Sequence, residues 1–212
     1  SDLTFTATIS ATDGPFAGTV SFSDGTEPIA ACQGVTVSAG TTSPWTATCS
    51  TADLTAGVHA ISATYSGGAN YTGSASTGEI AVAQASTTLE LTGPTSSTYR
   101  ETVTFTATIS ATDGTFDGTV SFSDGTEPIA ACQGVTVSAG TTSPWTATCS
   151  TADLTAGVHA ISATYSGGAN YAGSASTGEI AVAQASTTLE LTGPTSSTYR
   201  ETVTFTATIS EI

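Results

Sequence analysis

The sequence repeats itself with a period of 100 residues, and no other feature constrains the fold as strongly. Residue i can be set against residue i+100 in 112 pairs, and eight of these differ. Three lie at the start (Ser1/Glu101, Asp2/Thr102, Leu3/Val103) and three are internal (Pro15/Thr115, Ala17/Asp117, Thr72/Ala172). At the end, Glu211 and Ile212 stand opposite Ala111 and Thr112. A fixed long period makes each unit a structural module and the chain an array. The period is also the size of one domain with a modest core. Two copies this alike offer the same surface twice, so the second adds reach or valency. That favours a stalk, tether or filament over an enzyme.

Charge narrows the partners. Charged residues are 9% of the chain, lysine is absent, and Arg100 and Arg200 are the only arginines. Against seventeen Asp and Glu the net charge is -15. Such a surface repels phosphate backbones and anionic lipid headgroups, which argues against nucleic acid and membrane-surface partners. No stretch approaches the roughly 18 to 20 apolar residues of a membrane span. The sequence begins and stops within a repeat and reads as a window on a longer array.

Each repeat has two cysteines, Cys32 with Cys49 and Cys132 with Cys149, and no metal or redox spacing fits them. An even count per module predicts one disulfide per repeat and an oxidising, extracytoplasmic compartment. The alternative is a pair of buried free thiols.

The chain is written in short alternating runs cut by Gly, Pro, Asn and Asp, the pattern of an all-β fold. Residues 87–91 put Leu89 and Leu91 on one face. Val103, Phe105, Ala107 and Ile109 lie two apart, and Val120 with Phe122 point inward from residues 119–122. Asp113-Gly114 and Asp124-Gly125 mark turns. Residues 129–137 read as a strand carrying Cys132, Val135 and Val137, and 138–144 as a loop. Trp145, Ala147 and Cys149 share a face, which predicts that the Trp packs beside the disulfide. Residues 153–165 read as the strongest strand, with His159, Ile161, Ala163 and Tyr165 in register. Gly167-Gly168 and Asn170 turn the chain into a last strand with Ile180 and Val182. About seven short strands per 100 residues indicate an antiparallel β-sandwich.

The runs Gly118-Thr-Val-Ser-Phe-Ser-Asp-Gly125, Ala156-Gly157-Val-His159-Ala-Ile161-Ser-Ala163-Thr-Tyr165-Ser-Gly167 and Ala169-Asn170-Tyr171 carry a resemblance. They look like the bacterial immunoglobulin-like domain repeats of large surface proteins. The resemblance implies tandem immunoglobulin-like sandwiches of about seven strands, used mostly as extracellular spacers and adhesin stalks. It implies a complete domain at 85–184, with strand A at 87–91. Residues 1–84 then form a repeat lacking that strand, and 185–212 supply the first strands of a further repeat. His59 and His159 stand where such a sandwich often places the tyrosine of its E–F corner.

Each histidine is alone in its repeat, so a structural role is expected rather than a ligand or a general base. Asp113, Asp124 and Glu127 fit no calcium-loop spacing, and no metal or cofactor is expected. No nucleophile has a base beside it in any familiar motif, which argues against an enzyme. Asn70-Tyr71-Thr72 is a glycosylation sequon that the second copy loses at Ala172. The lack of lysine rules out a Lys–Asn crosslink, leaving the disulfide as the available covalent brace.

Two readings of function follow. In the first, the chain is a stalk or spacer of an extracellular bacterial surface protein, touching neighbouring repeats of the same chain and projecting an unknown distal ligand-binding domain. In the second, it self-assembles into an extracellular filament. Leu189 and Leu191 of one chain then complete the first repeat of the next by strand exchange. Direct adhesion to a glycan or protein is a third option, for which no ligand is named.

Overall fold

The computed structural model describes residues 2–138 and 140–211. The chain divides into two compact units, residues 1–85 and 86–212. In the first unit the strands are β1 (Leu3–Ile9), β2 (Thr19–Asp24), β3 (Glu27–Pro28), β4 (Val35–Thr36), β5 (Trp45–Thr51), β6 (Gly57–Tyr65) and β7 (Ser74–Val82). The second opens with β8 (Thr88–Thr92) and β9 (Ser96–Thr98). It continues with β10 (Val103–Ser110), β11 (Thr119–Asp124), β12 (Glu127–Pro128), β13 (Val135–Thr136), β14 (Trp145–Thr151), β15 (Gly157–Tyr165) and β16 (Ser174–Ala183). A hairpin of β17 (Thr187–Thr192) and β18 (Thr206–Glu211) follows.

The second unit is a complete two-sheet sandwich. One sheet runs β14-β10-β8, and the other runs β12-β11-β15-β16-β9 with β13 also on β11. Every pairing is antiparallel except β16 with β9, which is parallel. The segment from β8 to β9 therefore crosses from one sheet to the other and closes an edge of each. The alternation read from the sequence sets the faces. Val103, Phe105, Ala107 and Ile109 of β10 are buried, and so are Val120 and Phe122 of β11, Trp145, Ala147 and Cys149 of β14, and Ile180 and Val182 of β16. The intervening Thr and Ser residues mostly face outward. This is the period-2 rule of a sheet with one wet face.

Two segments depart from the strand reading. Residues 129–137 are not one strand: Ala130–Cys132 is a 3-10 turn, and only Val135–Thr136 pairs with β11. Residues three apart eclipse in a 3-10 turn, whereas on a strand they face opposite sides. The turn is thus what lets Ile129 and Cys132 both enter the core. Gln133 holds it, its Nε2 donating to the carbonyls of Phe122 and Ile129 at 2.6 and 3.1 Å. The strand expected from residue 153 starts at Gly157 instead. Residues before it bend, with the Asp153 amide donating to Thr151 Oγ1.

Candidate functional site

Each unit carries three internal braces and one surface where the two units differ. The first brace is covalent. Cys32 bonds Cys49 and Cys132 bonds Cys149, with Cα atoms 5.5 and 5.4 Å apart. All four cysteines are buried.

The second brace is at the E–F corner. His159 enters β15 just after the loop, and its Nδ1 lies 2.6 Å from Oδ2 of Asp124, the last residue of β11. Its Nε2 lies 2.7 Å from the Thr155 carbonyl. His59 makes the same contacts with Asp24 at 2.6 Å and Thr55 at 2.8 Å. A carboxylate and a carbonyl can only accept, so both bonds form together only when both ring nitrogens carry protons. Accordingly both histidines titrate above the ordinary value of 6.5. For His59 the main cause is the bond to Asp24 and then that to Thr55. For His159 it is the bond to Thr155, opposed by partial burial and helped by Asp124. The imidazolium ties the loop before one strand to the end of its neighbour.

The third brace closes one end of the sandwich. Trp145 does not pack beside the disulfide as its shared face with Cys149 predicts. Four residues along a strand separate them by roughly 13 Å, and the indole instead stacks on Phe116 with ring centroids 4.0 Å apart. Phe116 also stacks on Tyr165 at 4.9 Å and touches Tyr171. Trp145 Nε1 donates to the Gly140 carbonyl, and the phenols of Tyr165 and Tyr171 donate to the carbonyls of Asp117 and Thr112. Burial pushes the Tyr165 phenol up to about 12. Every polar tip of the cluster is thus bonded, as buried Trp and Tyr require. The sequence offered no sign of Phe116 as the centre of this cluster, since it lies in a loop without apolar periodicity.

The carboxylates weighed for calcium do other work. Asp124 holds His159, Asp113 Oδ1 accepts from the Ser143 amide, and Glu127 is exposed. Asn70, in the sequon, is also exposed. Among the described residues no helix is long and apolar enough to cross a membrane.

The units differ where β8 and β9 lie. Phe105, Ala107 and Ile109 are at most 3% exposed, and Ile180 and Val182 are buried. Their counterparts Phe5, Ala7, Ile9, Ile80 and Val82 are only half-buried. These five side chains are the same in both copies, and the β8–β9 segment lies over them only in the second unit. In the second unit Leu91 reaches over Gly178, and Thr87 Oγ1 donates to the Ala172 carbonyl and contacts Ser174 Oγ. In the first unit that place is a cleft of about 310 Å³ lined by Phe5, Ala7, Phe22, Ile61, Gly78 and Ile80. Leu189 and Leu191, on β17, are 68% and 66% exposed.

No curated protein matches this sequence. The family model described as bacterial Ig-like domain (group 3) matches residues 1–83 and again residues 89–183. Those matches cover both sandwiches, braces included, and the chain belongs to the bacterial Ig-like domain family, group 3.

Proposed function

We propose that the chain is a spacer segment of an extracellular bacterial surface protein, a stalk that holds a distal binding domain away from the cell. It carries no catalytic centre in this reading. The observation that supports it best is the duplication itself: 100 residues recur with eight differences in 112 pairs, and the disulfide, the His–Asp corner and the aromatic end recur with them. A catalytic surface gains little from being copied in series, whereas length grows with every copy. Braced domains of the immunoglobulin type supply that length without relying on a large core. Disulfides also belong to an oxidising compartment outside the cytoplasm. The net charge of -15, which follows from the lack of Lys, makes neighbouring stalks repel one another.

The test is reach on a cell. The chain is inserted between a surface anchor and an antibody epitope, with the number of repeats varied. Access of a large antibody to the epitope is expected to rise with repeat number. Access that does not depend on repeat number would contradict the proposal, and direct binding of the isolated chain to host glycans or proteins would favour adhesion instead.

A further inference from the structure

The chain enters the second sandwich at one end and leaves it at the other. At the entry Thr87 Oγ1 donates to the Ala172 carbonyl at 2.8 Å and contacts Ser174 Oγ at 2.7 Å, where β16 begins. At the exit Ala183, the last residue of β16, pairs with Thr98 of β9, and its carbonyl accepts from the Tyr99 amide at 2.8 Å. The ten residues of β16 separate these two places. We infer that the β8–β9 segment is a clasp that carries tension along the chain, so that the module bears load as well as adding length. This rests on the spacer reading, in which the chain is stretched between an anchor and its tip.

The direction of the strands decides how a pull is felt. Tension draws Ser86 out of the entry end and Gln184 out of the exit end. β9 and β16 lie side by side and parallel, Ser96 with Ala181, Ser97 with Val182 and Thr98 with Ala183. They are therefore drawn in opposite directions along their own axes. β8 is drawn lengthwise out of its ladder with β10, which runs from Thr88–Ser110 to Thr92–Thr106. Ladder hydrogen bonds lie across the strands, so a lengthwise pull loads every rung of a ladder together. A sideways pull would load one rung at a time. Shear is the resistant geometry, and both ladders of the segment meet tension in shear.

Further bonds fasten the segment directly to β16. The Leu91 amide donates to Ser176 Oγ at 3.4 Å, and the Ala181 amide donates to the Thr95 carbonyl at 3.0 Å. With the Thr87 contacts, they tie the strand that tension pulls one way to the strand it pulls the other. The exit end also has a stop. The Glu101 amide donates to the Thr98 carbonyl at 2.9 Å, and Glu101 Oε2 accepts from the Thr98 amide at 2.9 Å. Arg100 between them has φ of 67°, in the left-handed region that residues other than glycine seldom adopt. β9 cannot slide towards the entry without undoing this turn. Release of the clasp would uncover Phe105, Ile109 and Ile180 to water, so the core resists the same displacement.

Single-molecule pulling on the 212-residue chain tests the clasp, because forced unfolding reports the barrier rather than equilibrium stability. Among the described residues every cysteine is in a disulfide, so new thiols serve as handles. Ser86→Cys with Gln184→Cys, both at exposed positions, loads the second unit from entry to exit. Val158→Cys with Gln184→Cys loads the same unit sideways, because Val158 is exposed and pairs with Ala181 close to the exit. The first geometry is expected to rupture at several times the force of the second. Tyr99→Pro removes the amide that bonds Ala183. It should lower the rupture force in the first geometry and leave the second nearly unchanged. Equal rupture forces in the two geometries would overturn the proposal, and this comparison leaves the clasp itself unaltered. A Tyr99→Pro chain as strong as its parent from entry to exit would also overturn it. Either result would leave the spacer reading standing, since reach depends on the number of repeats and not on rupture force.

Discussion

His159 and Asp124, 35 residues apart in sequence, meet at 2.6 Å and join the end of one strand to the start of its neighbour. The same ring holds the Thr155 carbonyl, so the arrangement is complete only as an imidazolium. The folded-state value is raised above the ordinary 6.5 in both repeats. The contribution is therefore fully present below a pH of about 6.5 and is lost as pH rises through the folded-state value. Melting temperature is expected to decline on moving from mildly acid to mildly alkaline buffer. His59→Gln with His159→Gln should lower it at the acid end and flatten the profile. A flat profile in the unsubstituted chain would contradict this.

The disulfides close loops of 17 residues in each repeat. On a loop-entropy basis each stabilises its unit by about 3 kcal/mol. Thermal melting with and without a reductant measures this directly, and a loss of that order is expected for each unit. Peptide mapping without reduction should recover both linked pairs.

Trp145 is 1% exposed and stacked on Phe116. Trp145→Ala should cost about 3–5 kcal/mol in urea denaturation, with Trp145→Phe costing less because a ring still faces Phe116. The loss should fall on the transition of the second unit. An equal shift in the first unit, whose Trp45 is untouched, would mean that the two do not unfold independently.

How far the sequence reveals all this depends on locality. The buried faces of β10, β11, β14 and β16 are visible as alternation because each is a regular strand whose apolar residues recur two apart. Residues 129–137 mislead for a specific reason: Ile129 and Cys132 look like scattered strand residues, and only a 3-10 turn aims both inward. Ser96–Thr98 pairs with β16 through backbone alone and has no apolar side chain to announce it. The disulfide partners follow from arithmetic, since each repeat has two cysteines. The partner of His159 does not, because Asp124 also makes sense as a turn residue before Gly125. Phe116 was hidden for the same reason, since the ring that organises the end of the sandwich sits in a loop.

Gly118 and Gly134 both have positive φ, +93° and +61°, yet a side chain would meet different surroundings. A Cβ on Gly118 would run into the Gly167 carbonyl and the Tyr165 ring, while on Gly134 nothing lies within 4 Å. Gly134→Ala should cost about 1–2 kcal/mol from backbone strain. Gly118→Ala should cost distinctly more, since a backbone carbonyl must also move. Equal losses in denaturant titrations would show that this turn is looser than described.

A tandem spacer lengthens by a constant step with each added module. The longest strand, β16, has ten residues, which sets that step at roughly 34 Å. Small-angle scattering from chains with one, two and four copies of residues 85–184 tests this most directly. The maximum dimension is expected to rise linearly, by roughly 34 Å per copy. Copies that collapse on one another, so that the dimension hardly grows from two to four, would contradict the spacer.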